Sequence, residues 1–149
     1  MLLRQQELDA RVEFWSFGLQ ESDDSVVPVP FPDDFQWGVF LQGHVRRFDV
    51  FSAGHTHTAL LAVRVWDSSP GAEAGDWEEQ AETDFESVTG DVAVWGAGRS
   101  EDLIRLGRPG MWRVRVRCAG RTEVERETQS EGTAYGVERY AIDFWPKSD

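Results

Sequence analysis

Trp112-Arg113-Val114-Arg115-Val116-Arg117-Cys118 alternates an apolar side chain with an arginine at every step. A β-strand sends successive side chains to opposite faces, so a period of two marks a strand. Trp112, Val114, Val116 and Cys118 share one face, bound for a core, and the three arginines share the other. Gly120 ends or bulges this strand, and Arg108-Pro109-Gly110 before it has the composition of a tight turn.

The same period recurs to either side. Glu138 to Trp145 sets Tyr140, Ile142 and Phe144 against Arg139, Ala141, Asp143 and Trp145, and Pro146 stops it. Thr58 to Trp66 is the most apolar run and reads as a central strand, with Leu60, Ala62 and Arg64 alternating with Leu61, Val63 and Val65. Shorter strands are expected at Val12 to Phe17, Phe35 to Gln42, Arg47 to Ser52, Val92 to Trp95 and Ser100 to Leu106. In Trp77 to Val88, Glu82, Asp84 and Glu86 alternate with Ala81, Thr83 and Phe85, which favours a solvent-edged strand; a helix over Asp76 to Ala81, capped by Asp76, is the other reading. Gly18 to Asp24, Asp67 to Gly75 and Thr128 to Gly136 read as turns or loops, and Val26 to Pro32, with three prolines, as an edge or extended loop. Eight or nine short strands separated by turn signals predict an all-β, antiparallel two-layer sandwich, jelly-roll-like or related.

The 149 residues suit a single domain spanning 1–149. An apolar fraction of 40%, with seven Trp and nine Phe, is enough to build a core. The formal net charge of −12 repels nucleic-acid phosphate and anionic lipid and attracts basic proteins. No stretch approaches the ~20 apolar residues that span a bilayer, and the N-terminal residues carry charges where a signal peptide needs an apolar run. Cys118 is the only cysteine, so no intrachain disulfide forms; a reducing, cytoplasmic setting is the expectation.

Three constellations could carry function. The first is acidic: from Asp67 to Asp91 there are nine carboxylates and no Lys or Arg. Alternate strand residues lie ~6.6 Å apart on one face, so Glu78, Glu79, Glu82, Asp84 and Glu86, with Trp77 as an aromatic anchor, form a candidate surface for a basic partner. The plain alternative is a solvated face. The second is the ladder Arg113, Arg115 and Arg117, which either pairs across strands with Glu82, Asp84 and Glu86 or forms an anion-binding stripe; the acidic surroundings favour pairing. The third is His55-Thr56-His57, with His44 upstream. Residues i and i+2 of a strand share a face, so His55 and His57 could reach one metal in the manner of a cupin, although no later histidine supplies that fold's further ligand. Cys118, on the apolar face, is expected to be inert. No phosphate-binding, dinucleotide or nucleophile-elbow fingerprint is present, and no cofactor is expected.

Phe85-Glu86-Ser87-Val88-Thr89-Gly90-Asp91-Val92-Ala93-Val94 leads to Leu103-Ile104-Arg105-Leu106, then to Gly110-Met111-Trp112-Arg113-Val114-Arg115-Val116, and ends in Tyr140-Ala141-Ile142-Asp143. In that order of strand, glycine turn and terminal Tyr-x-Ile-Asp strand, the C-terminal half resembles the ComJ (Nin) family, bacterial inhibitors of a DNA-entry nuclease. The resemblance covers roughly the last 65 residues. It implies a small acidic β protein that binds and inhibits a nuclease and carries no catalytic residues, and it transfers no inhibitory residue by motif. The segment Arg121 to Gly136 departs from the family's pattern. A noncatalytic binding protein, an inhibitor or immunity protein of a nuclease or other basic partner, is therefore the leading expectation. A cupin-like metalloenzyme using His55 and His57, or an accessory domain of a larger assembly, are the alternatives.

Overall fold

A computed structural model describes residues 1–27, 36, 38–71, 75–96, 98–130 and 134–148. Among the described residues there are ten strands, one α-helix and a 3-10 turn at Asp24–Val26: β1 (Leu2–Val12), β2 (Ser16–Glu21), β3 (Leu41–His44), β4 (Arg47–Phe51), β5 (His57–Trp66), β6 (Glu79–Ser87), β7 (Asp91–Trp95), β8 (Arg99–Arg105), β9 (Gly110–Ala119), α1 (Arg121–Ser130) and β10 (Tyr135–Pro146). They make two five-stranded sheets, ordered β1-β5-β10-β9-β6 and β3-β4-β2-β7-β8. Pairing is antiparallel except between β5 and β10, which run parallel at the centre of the first sheet. The all-β sandwich expected from the period-two pattern is what forms. Among the described residues no helix is long and apolar enough to cross a membrane.

The core lies between the sheets. Trp112, Val114, Val116 and Cys118 of β9 point inward beside Tyr140, Ile142 and Phe144 of β10 and Leu61, Val63 and Val65 of β5. Facing them are Phe17 and Leu19 of β2, Phe48 and Val50 of β4, Val92 and Val94 of β7 and Ile104 of β8. Phe48, Phe85 and Phe144 meet edge-to-face or tilted at 5.6–6.2 Å, the geometry that ring quadrupoles favour. Burying each such ring contributes about 1.5–3 kcal/mol.

Several boundaries differ from expectation. β1 is an eleven-residue strand where no strand before Val12 was expected, and Gly18 to Glu21 is strand and not turn. The strand looked for at Phe35 to Gln42 begins at Leu41. Asp76 to Ala81 is not helical; β6 starts at Glu79. Thr128 to Ser130 ends a helix that starts at Arg121. Pro28 to Pro32, Phe35, Trp37 and Glu73 lie outside the described residues.

The β1–β2 connection turns through Phe14 and Trp15, with φ of 51° and 63°. Glu13 and Ser16 exchange backbone hydrogen bonds of 3.3 and 3.1 Å across it. Two-residue hairpin loops of this kind need positive φ at both central residues, which is why Asn-Gly is their usual sequence. A side chain in the left-handed region costs on the order of 1–2 kcal/mol, and here two aromatic residues occupy it.

At the opposite end, Glu21 stitches the sheets together. Its buried Oε1 accepts from the Ser87 hydroxyl at 2.7 Å and the Val88 and Thr89 amides at 2.8 and 2.9 Å. Burial opposes ionisation, but the amides of Thr89 and Asp23 and the hydroxyls of Ser87 and Thr89 outweigh it and hold this carboxyl below its ordinary 4.5.

Candidate partner-binding surface

The acidic run is largely engaged with cations or amides of the same chain. β6 and β9 pair so that Asp84 faces Arg113 and Glu82 faces Arg115. Arg113 donates to Glu82 Oε1 at 3.2 Å and to Asp84 Oδ1 at 2.9 Å. Lys147 reaches Asp84 Oδ2 at 2.6 Å, and this ammonium followed by Arg113 holds the Asp84 carboxyl below its usual range. Glu86 pairs with Arg46 at 2.7 Å, away from the arginine ladder. Glu78 accepts from the amides of Gly120, Arg121 and Thr122 at 3.0–3.2 Å. It caps α1 from outside the helix, where the first amides lack partners and the helix dipole favours an anion. Glu79 is exposed at the start of β6. Glu82, Asp84 and Glu86 remain about two-fifths exposed, so the surface is a mixed-charge lattice and not a bare row of carboxylates. Such exposed pairs contribute ~0–1 kcal/mol each.

Arg115 and Arg117 turn away from β6 to a carboxylate that sequence spacing did not reveal. Asp143 is fully buried on the outer face of the first sheet, 3.0 Å from Arg64, 3.3 Å from Arg115 and 3.1 Å from Arg117. The indole of Trp66 donates to it at 3.0 Å. Trp66, Trp145 and Trp77 lie under the guanidinium groups of Arg64, Arg115 and Arg117 at 5.4, 5.9 and 4.9 Å. Trp77 is thereby half-buried and held in place, a wall of a groove of about 650 Å³ floored by Leu60 and Ala141 and rimmed by Glu7, Asp9 and Asp76.

The histidines go to different environments. His57 is the first residue of β5 and fully buried, whereas His55 sits in the preceding turn, against the rings of Trp15 and Phe14 at 4.2 and 5.1 Å. His44 approaches Asp49 at 3.5 Å. Among the described residues no group of three or more His, Cys, Asp or Glu side chains could hold a metal ion.

Around His57 is a buried network of residues distant in sequence. Ser52 Oγ lies 2.8 Å from His57 Nε2 and 2.7 Å from Glu138 Oε1, which also accepts from the Tyr140 hydroxyl at 2.7 Å. The Ala53 amide donates to Glu138 Oε2 at 3.0 Å, and Arg121 Nη1 stands 3.6 Å away. With its proton directed to the carboxylate, Ser52 accepts from His57 Nε2, which assigns the Nε2–H tautomer. A nucleophilic serine needs the reverse, with imidazole taking its proton, and Ser52, His57 and Glu138 are all fully buried. Burial first, and the Glu138 charge second, push the Cys118 thiol up to about 12, so it stays unreactive.

No protein-family model matches this sequence, and no curated protein matches it. Solved structures do. The chain superimposes on ComJ from Bacillus subtilis, described as an inhibitor of the DNA-degrading activity of NucA, with a TM-score of 0.66 at 13% identity, covering 99% of this chain and 98% of that one. It also superimposes on the crocagin biosynthetic gene J product, with a TM-score of 0.64 at 10% identity, covering 98% and 100%. The likeness is one of fold. It extends over the whole chain, where the sequence resemblance covered only the C-terminal half.

Proposed function

We propose that this protein is a noncatalytic binding protein that inhibits a DNA-degrading nuclease or a related basic partner. The observation that carries the reading is the end-to-end likeness of fold to ComJ. A net charge of −12 supports it, because a long-range negative field speeds encounter with a protein built to hold DNA. Glu79, Glu82, Asp84 and Glu86 would contribute that field from β6, the last three tempered by neighbouring cations, and Trp77 would offer apolar contact area.

The test is DNA degradation by purified NucA in the presence of this protein. Degradation slows in proportion to the protein added, and the association rate falls as sodium chloride is raised. Undiminished degradation in large molar excess removes the nuclease reading; association indifferent to salt removes its electrostatic part. The second likeness, to a biosynthetic gene product, favours an accessory role in a larger assembly. That role predicts no inhibition but a stable complex, visible by mass, with a neighbouring enzyme.

A further inference from the structure

The β1–β2 turn carries a cost that the fold does not recover at Phe14. Trp15 is explained by its surroundings: it is half-buried, its amide donates to the His55 carbonyl at 2.9 Å, and its own carbonyl accepts from the Ser52 amide at 2.7 Å. Phe14 makes no comparable contribution. It is 67% exposed, outside the hydrophobic core, with its ring only tilted against His55. A left-handed backbone that holds a large apolar ring in water is strain without structural return, and such strain gathers where a molecule binds. The same strain makes the ring a good anchor, since a tight turn fixed by backbone hydrogen bonds loses little freedom on association.

Carboxylates lie to either side of the ring. Glu13 belongs to the turn itself. Behind Trp15 runs a groove of about 470 Å³ lined by Glu78, Arg121 and Glu125; Arg121 is mostly buried and turned toward Glu138, Glu78 is held by the α1 amides, and Glu125 is exposed on α1. An apolar tip set among carboxylates matches a partner pocket that is apolar inside and basic at its edge.

We propose that Phe14 is the apolar anchor through which this protein engages a basic nuclease, seating its ring in a pocket whose basic rim meets Glu13 and Glu125. This rests on the inhibitor reading and adds to the surface of Trp77 and β6 a contact at the β1–β2 end of the sandwich. Calorimetric titration of NucA with the intact protein and its variants tests it. Phe14→Ala and Phe14→Asn weaken binding by roughly tenfold or more, the scale of an interface hot spot. Val45→Asn, which alters an exposed apolar residue on the β3–β4 turn at the far end, stays within a factor of about two. Asn tolerates the left-handed region, so Phe14→Asn melts at or above the wild-type temperature even as it loses affinity. Wild-type affinity in Phe14→Asn overturns the anchor and leaves the inhibitor reading standing. No binding by the wild type removes both. A melting temperature lowered by several degrees in Phe14→Asn assigns the ring to the fold. A wild-type dimer that Phe14→Asn makes monomeric assigns it to self-association.

Discussion

Asp143 and Glu138 are both fully buried carboxylates on β10, five residues apart, and the chain satisfies them in opposite ways. Asp143 faces outward from the sheet and is met by three guanidinium groups and an indole. Glu138 sits among hydroxyls and a backbone amide, with Arg121 at the longer distance of 3.6 Å. The first is a charge pinned by charges; the second is a charge spread over neutral dipoles. Arginine reaches Asp143 because β5 and β9 flank β10 and present Arg64, Arg115 and Arg117 at matching register. The difference teaches that burial alone does not set what a carboxylate is worth. Its partners decide whether losing it strands other charges or merely loosens hydrogen bonds.

Breaking the ion cluster should do the greater damage. Asp143→Asn keeps shape and volume but removes the negative charge that Arg64, Arg115 and Arg117 share. A loss of about 3–5 kcal/mol is expected in urea denaturation. Glu138→Gln removes a charge whose partners are mostly neutral, and an amide can replace only part of the pattern: it still accepts from Ser52 or Tyr140 but presents a donor where the Ala53 amide also donates. The expected loss is about 1–3 kcal/mol. If the two substitutions cost the same, the contrast between charged and dipolar partners fails.

The smallest effect is one of pH, and it sharpens the Glu138 side. Burial depresses the His57 pKa below its ordinary 6.5, only partly offset by the Glu138 charge. The unfolded chain therefore takes up this proton before the folded protein does. Stability is full above about 6.5 and declines as pH falls from there toward the folded-state value. Glu21 adds to the decline at lower pH: its depressed pKa contributes stability above 4.5 that is lost as pH falls through the folded-state value. Melting temperatures between pH 7 and pH 5 should drop more steeply for the wild type than for His57→Gln, which can still hydrogen-bond Ser52 but cannot titrate. Parallel slopes would show that His57 is not the group responsible.

How much of this was legible in the sequence follows from where each signal is written. β5, β9 and β10 are central strands with one face in the core, so their alternation is strong and their two faces separate correctly in the sequence. β1 is an edge strand buried only toward Val12, so solvent erases its pattern. β2 hides for a different reason: Gln20 and Glu21 are buried polar residues, and a polar strand reads as a turn. The turn itself is disguised, because Phe14 and Trp15 stand where Asn-Gly would announce it. α1 buries Val124 but is otherwise polar over its described side chains, too little for a helical stripe. Pairing of the acidic run with Arg113 was expected from the charge of its surroundings, whereas the Ser52–Glu138 contact spans 86 residues and leaves no trace in local spacing. The fold likeness to ComJ, at 13% identity, is legible for the same reason as the central strands: the period survives when the residues do not.

The parallel pairing of β5 with β10 also orders events during synthesis. β10 follows every other strand along the chain, yet it is wedged between β5 and β9. The ribosome must therefore deliver residues out to Pro146 before β5 and β9 can be joined into one sheet. Until then β1 with β5, and β6 with β9, are two unjoined strand pairs whose open edges are sites for wrong pairing. The last strand closes the sheet like a keystone, and any binding activity that depends on the finished sandwich switches on only when it arrives.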